Sequence, residues 1–424
     1  MSGACLLVFA AAATAAQAQG NGIEERIRRL EIQEEEVQAP AFGIWMNPDV
    51  QFKSADERFE ATIGAFVIAH STFAIRENAP ADTFSVAETG LRVAATIDGA
   101  WEVALQARIL PDGADLYLGT VSFVKWDGLI LSAGVITSPY SMELQEYNQW
   151  IDIPVYSMMS LTTPDIDLGA TAEGSLFTET LNYTIGIFNG NGAGAGRDEN
   201  SDKDACGRLV LRPFAAGGPE ILNRLWIGAS AMAGRARHDP GETPFTFETT
   251  STGTAWLVAP AGPPAFRVDG GIRRLGGEIA WLPGPFEFKA EISHMEARIE
   301  FDGDAERWNA QSWYVSAGFW LGGSREPGER PDVETPLFAG GWGALQVVAR
   351  YTQMRVGDEF TNDAGFIGTN RVREYAAAVN WYPNAIVRIS LMYALVEYVG
   401  DRVPLGGHMI DDEDVLILRT QIDF

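Results

Sequence analysis

The chain has 424 residues, and its 31 basic against 57 acidic side chains give a formal net charge of −26. That balance excludes nucleic-acid binding, which needs a basic face. Although 46% of the residues are hydrophobic, no apolar run beyond the N-terminus approaches the roughly 20 residues of a spanning helix. If the mature chain crosses a membrane, it does so by strands closed into a barrel.

In chain order, Leu6 to Ala13 is a short apolar core and Ala16-Gln17-Ala18 a small-x-small cleavage site. Residues 1–18 therefore read as a signal peptide, although the usual positive n-region is absent. Residues 19–42 follow as a periplasmic helical or linker segment, charged and helix-prone from Ile23 to Gln38. Ile23, Ile27, Leu30 and Val37 fall near heptad spacing, and Glu34 breaks the seam. Both a short self-associating periplasmic helix and a solvated linker fit this pattern. Residues 43–424 form the third unit, a barrel domain. With Cys5 in the leader, Cys206 is alone and is expected to be a small buried or lumen residue.

Beyond Arg58 hydrophobicity alternates with period two, broken by Gly, Pro, Asn and Asp. At the C-terminus, Leu416, Leu418, Thr420, Ile422 and Phe424 share one face, and Val415, Ile417, Arg419, Gln421 and Asp423 share the other. One face suits lipid and the other water. About sixteen such segments are expected, an even number within the bacterial barrel range. They start near Arg58, Ala87, Ala100, Ala114, Gly128, Ile166, Glu179, Ala205, Leu222, Phe266, Pro285, Trp308, Trp342, Asn370, Ala385 and Glu413. The fold class is all-β: a transmembrane antiparallel β-barrel with a short N-terminal helical segment.

With both termini in the periplasm, connections after even strands should be short and those after odd strands long. Asp98-Gly99, Asp127-Gly128, Leu282-Pro283-Gly284 and Tyr382-Pro383-Asn384 fit the first rule. Segments 71–86, 137–165, 189–204, 238–265 and 400–412 fit the second. Gly322 to Gly341 is long and Pro-rich where a short turn is expected, so either a strand is misplaced or one periplasmic connection is long. Trp126, Trp281, Trp308, Trp342, Trp381 and Tyr382, near segment ends, are expected to form interfacial girdles.

The stretches 186–190 (GIFNG), 204–214 (DACGRLVLRPF), 340–351 (GGWGALQVVARY), 380–384 (NWYPN) and 419–424 (RTQIDF) resemble the phosphate-selective porin O and P family over most of the chain after Phe42. The resemblance implies a 16-stranded outer-membrane barrel, usually a homotrimer, that passes anions by diffusion. It also implies a terminal Phe, here Phe424, read as an assembly signal by the barrel-assembly machinery. Phosphate-selective members line the pore with many lysines, whereas this chain has only Lys53, Lys125, Lys203 and Lys289.

Arginine stands in for lysine. Arg92, Arg108, Arg208, Arg212, Arg350, Arg388 and Arg419 fall on the water-facing phase of their strands and, with Lys125, are the candidate pore-lining cations. Guanidinium forks bind phosphate or carboxylate bidentately, and rings of them bias a pore toward anions. The alternative is that they pair with lumen carboxylates such as Glu102, Glu287, Glu291 and Asp423. The loop 137–165 carries Tyr140, Glu143, Glu146, Tyr147, Trp150 and Asp152, and by analogy with general porins it folds inward as the constriction. There its carboxylates would favour cations; an extracellular cap is the alternative. Asp198, Asn200, Asp202 and Asp204 alternate like the start of a calcium loop, but Lys203 and Leu209 occupy positions an EF-hand reserves for Gly and Glu, which leaves a loose calcium site or a solvated acidic turn. His70, His238, His294 and His408 are scattered and match no catalytic motif. The expected function is a passive outer-membrane channel for small anions such as phosphate, without enzymatic activity or cofactor. The alternatives are a general or cation-preferring porin, or a structural barrel tethered to periplasmic partners.

Overall fold

The computed structural model describes residues 42–46, 49–75, 82–110, 113–190, 192, 201–237, 246–258, 267–301, 304–357 and 366–424. The leader and the helix-prone segment lie outside the described residues, as do Asp198 and Asn200.

Sixteen antiparallel strands close into a barrel. They are β1 (Phe59–Ala74), β2 (Thr83–Ile97), β3 (Trp101–Leu110), β4 (Gly113–Trp126), β5 (Leu129–Thr137), β6 (Ile166–Leu176), β7 (Leu181–Phe188), β8 (Asp204–Leu211), β9 (Leu225–Arg237), β10 (Arg267–Trp281), β11 (Phe286–Phe301), β12 (Asp304–Leu321), β13 (Ala344–Val356), β14 (Arg371–Tyr382), β15 (Val387–Tyr398) and β16 (Asp412–Asp423). Each expected segment is present in order; β2 and β12 begin furthest ahead of expectation, at Thr83 and Asp304. Closure comes from Val415–Asp423 of β16 against Phe66–Ala74 of β1. Phe424 and Ala65 then exchange backbone hydrogen bonds.

A short hairpin that hydrophobic alternation does not announce lies ahead of the barrel. Phe42–Met46 pairs with Val50–Ser54, and Val50–Lys53 continues along β1, taking the edge that β16 leaves free. The Asp98-Gly99 turn works as expected: both residues have positive φ, 54° and 58°, which Asp tolerates and Gly adopts freely.

The outward face exposes large apolar side chains throughout, among them Ile185, Ile187, Leu275, Val347 and Leu391. At roughly 25 cal/mol per Å² of apolar surface, such a belt is tolerable only against lipid. Trp126, Trp281, Trp342 and Trp381 lie near the short-turn end as expected; Trp281 donates to the Ile221 carbonyl oxygen and Trp381 to that of Trp342. Trp308 and Tyr382 depart from the girdle expectation. Both are buried, on the inward phase of their strands.

The inner face is not polar along its whole height. Toward the long-loop end of β10–β16 it carries Met295, Ile299, Trp308, Met354, Val356 and Val396, which form one apolar cluster with the loop residues Phe247, Trp256, Val403 and Ile410. Phe247 stacks between Trp256 and Trp308, with ring centroids 5.2 and 5.7 Å away. The loops 246–258 and 403–410 each fold into a small antiparallel pair that caps this cluster. The connection after β12 is the long one the sequence left open. It forms a two-residue pairing, Gly323–Ser324 with Asp332–Val333, and turns inward.

Candidate functional site: the inward loop and the lumen arginines

The loop 138–165 enters the barrel, and its neck is closed by the Ser138 N–H donating to the Asp165 carbonyl oxygen at 2.8 Å. Tyr140 passes β10 where Gly276 leaves room: a Cβ there would lie 3.3 Å from the Tyr140 ring and 2.2 Å from Ser230 Oγ. A single helical turn, Met142–Gln145, follows, with Ser141 as its N-cap. Glu291 of β11 holds that turn. It accepts from Ser141 Oγ at 2.9 Å, from the Met142 and Glu143 backbone N–H groups at 2.8 Å each, and from the Tyr314 hydroxyl at 2.7 Å.

Glu143 is buried and accepts from the Ser157 backbone N–H and hydroxyl and from Arg350 at 3.0 Å. Burial pushes its carboxyl up, against the pull of Arg350 and Ser157. Arg350 also donates to the carbonyl oxygens of Val155 and Tyr156 and to Glu374. Asp152 accepts from Lys289 at 2.8 Å, from Gln346 at 2.7 Å and from Arg325 of the long β12–β13 connection. Burial alone would raise the Asp152 carboxyl, but Arg325 and Lys289 outweigh it and hold it below its ordinary value. Glu146 meets the same two cations. Arg388 donates to the carbonyl oxygens of Ile151 and Asp152, and Arg419 to the carbonyl and side-chain oxygens of Asn148.

These contacts correct the expectations for both groups. Arg350, Arg388 and Arg419 have the expected phase, but the loop covers them, leaving Arg388 and Arg419 1% and 0% exposed. They anchor the loop. Glu143 is committed to Arg350, and Glu146 and Asp152 to Lys289 and Arg325. Tyr140 is buried against Ser293. Trp150 remains at the edge of the lumen: it donates to Asp423, packs edge-on against Tyr147 at 5.1 Å, and lies between Arg92 and Arg330, whose guanidinium carbons are 5.5 and 6.0 Å from its ring.

The wall opposite the loop is polar and less covered. Cross-strand register brings Ser132, Thr171, Glu173, Thr184, Arg208 and Ser230 onto the inward face of β5–β9. Arg208 forks onto Glu278 there, whereas Arg92, on β2 beside Trp150 of the loop, pairs with Asp423. Arg108 pairs with Asp115 at 2.6 Å and covers Tyr117. Arg212 lies just past β8, over Trp226 and 3.7 Å from Glu179, at the mouth rather than inside. Lys125 is exposed at the end of β4, where an irregularity between Phe123 and Trp126 shifts the alternation and takes it out of the lining. Of the expected carboxylate partners, Asp423 takes arginines, whereas Glu287 binds Trp320 and Gln346, and Glu291 the loop. Asp204 opens β8, is buried, and accepts the Arg235 backbone N–H at 3.2 Å. Cys206 is buried beside Tyr140, Phe188 and Met232.

The barrel, its lipid-compatible belt and its inward loop meet a decisive comparison: residues 115–424 match the family described as phosphate-selective porin O and P. The chain belongs to that family. The porin is thus an outer-membrane channel for small solutes. No curated protein matches its sequence. Among solved structures, the porin is similar in fold to an anion-selective porin from Comamonas acidovorans, with a TM-score of 0.54 and 11% identity over 86% of this chain and 100% of that one. The outer-membrane channel DcaP of Acinetobacter baumannii gives 0.52 and 11% over 88% and 99%. The in-vitro folded OmpT of Vibrio cholerae, trimer form, gives 0.50 and 9% over 86% and 99%.

Sequence reasoning missed Arg274, Arg325 and Arg330 in this porin. The anomalous length of Gly322 to Gly341 was the available signal for the last two. Arg274 follows Arg273 in β10, so one of the two had to face inward; it donates to the Thr162 carbonyl oxygen at 2.9 Å.

Proposed function

We propose that the lumen passes small anions by diffusion and that Arg92, Arg208 and Arg330 are the groups a solute meets. One observation carries this reading: in the Arg208–Glu278 pair, and in the contacts of Arg92 and Arg330 with Asp423, the guanidinium is the more exposed member. Side-chain exposure is 16% for Arg92 and 18% for Arg330 against 3% for Asp423, and 15% for Arg208 against 5% for Glu278. Glu278 and Asp423 lie behind the guanidiniums, while Asp49, 21% exposed, also faces Arg92 and Arg330; guanidinium forks of this kind bind phosphate or another oxyanion. The family's phosphate-selective description and the anion-selective Comamonas porin support the same assignment.

Glu173 favours a second reading, cation preference: it faces inward from β6 and carries no ion pair among the described residues. The double variant Arg92→Gln with Arg208→Gln separates the two. At about 1 kcal/mol per charge near an aqueous path, roughly a fivefold change each, it should lower the chloride-to-potassium permeability ratio about 25-fold. An unchanged ratio would remove these arginines from the solute path.

The trimer form of the Vibrio protein supports a homotrimer. Phe424, paired to Ala65, is the proposed signal for the barrel-assembly machinery. Residues 1–18 are the proposed export signal, and residues 19–42 a periplasmic segment ahead of the barrel.

A further inference from the structure

Outside the lumen, the lipid-facing wall over β6–β10 is concave. Small side chains at Ala170, Ala205 and Ala231 lie between Ile185, Ile187 and Leu275 and leave a groove of about 990 Å³. The three ribs are 57%, 60% and 63% exposed. At the long-loop end this groove runs into a polar depression of about 340 Å³, and Arg273 and Glu296 line both. The depression also holds Arg298 and Arg307, which are directly opposed across β11 and β12.

Opposed like charges destabilise a sheet unless something of the other sign lies between them. The carboxylates at hand do not serve. Glu296 turns to His294 at 3.6 Å, and no described residue forms an ion pair or hydrogen bond with the side chain of Arg273, Arg298 or Arg307, although Glu306 stands in the same depression. Arg298 instead lies across Gly270, where a Cβ would come within 2.8 Å of its Cδ. The molecule therefore presents an apolar trough that ends in three uncommitted guanidiniums, at the edge of its lipid belt.

We propose that this is a lipid site, with one acyl chain in the groove and a headgroup phosphate bridging Arg273, Arg298 and Arg307. The occupant is a phosphate-bearing lipid of the surrounding leaflet. An acyl chain matches the apolar trough, and the phosphate matches the fork geometry while cancelling the Arg298–Arg307 repulsion. A second copy of this chain would have to bring carboxylates to the same three arginines.

The test is native mass spectrometry of the full chain in detergent, titrated with phosphatidic acid and with diacylglycerol of the same chains. Wild type should retain phosphatidic acid and not diacylglycerol. Arg298→Ala with Arg307→Ala should weaken retention by about tenfold or more, and Ala205→Trp with Ala231→Trp should do the same by filling the trough. Single-channel conductance equal to wild type certifies that each variant is folded, and because it reads the lumen alone, it keeps failure here distinct from failure of the anion reading. The proposal is overturned if the arginine variant retains phosphatidic acid as wild type does, or if diacylglycerol binds equally well. It is also overturned if millimolar inorganic phosphate displaces the lipid (a free-anion site), or if the Trp variant changes the oligomeric state without changing lipid retention (an interface between copies).

Discussion

Asp152→Asn should unseat the inward loop and raise single-channel conductance severalfold. Asp152 is where the loop, the barrel wall and the long β12–β13 connection meet, through Lys289, Gln346 and Arg325. Removing one member of a buried ionic cluster costs about 3–5 kcal/mol, because its partners keep their charge without compensation. In the variant, Glu146 alone would face Lys289 and Arg325. The barrel ladder is untouched, so the loss falls on the seating of the loop. The pH dependence has a definite sign. The folded Asp152 carboxyl lies below its ordinary 3.8, so its contribution is complete above that value and disappears only as pH falls through the lower folded value. Wild-type conductance should therefore stay flat from neutral down to about pH 4 with respect to this group, and rise only in stronger acid. Bilayer recording with limited proteolysis of the loop measures both effects. Unchanged conductance and an uncleaved loop in Asp152→Asn would show that the cluster does not hold it.

Glu291→Ala should release the other end of the same loop. The carboxylate accepts from Ser141, the Met142 and Glu143 backbone N–H groups and Tyr314, and it is 4% exposed. Buried donors left without an acceptor cost about 1–3 kcal/mol each, so this substitution is comparable to Asp152→Asn even though no ion pair is broken. Glu291→Gln keeps one oxygen and should restore part of the seating. The contrast is diagnostic: Glu291→Ala frees the helical turn near Met142, whereas Asp152→Asn frees the stretch near Ile151. Amide exchange along 138–165 resolves the two, and the same protected stretch in both variants would contradict a loop held at two separate anchors.

The barrel was legible because lipid on one side and protein or water on the other impose a period of two that no loop can mimic over eight or more residues. The places where pattern failed have local causes. The strand Val50–Ser54 is too short for alternation to stand out. The irregularity beside Lys125 shifts its phase. Trp308 faces inward because the inner surface there is a packed apolar cluster beneath the loops, and periodicity assigns a face without saying what covers it. The site failed for the same reason. Arg388 and Arg419 carry the right phase, but their contacts with the loop include backbone oxygens of Ile151, Asp152 and Asn148, and a backbone oxygen has no sequence signature. The carboxylates of the loop looked free for the same cause: Lys289, Arg325 and Arg350 reach them only after the chain has closed.

The central claim is that arginines backed by carboxylates, rather than the acidic surplus of the chain, set the charge a solute meets. Local charge at the narrow point outweighs net charge in this respect. The most direct test is the reversal potential of wild-type protein in a planar bilayer under a potassium chloride gradient, with phosphate then titrated in. The expected result is a potential of the sign that marks chloride as the more permeant ion, and a phosphate-dependent reduction of the current. A potassium-selective potential with no response to phosphate would contradict it and would assign the path to Glu173.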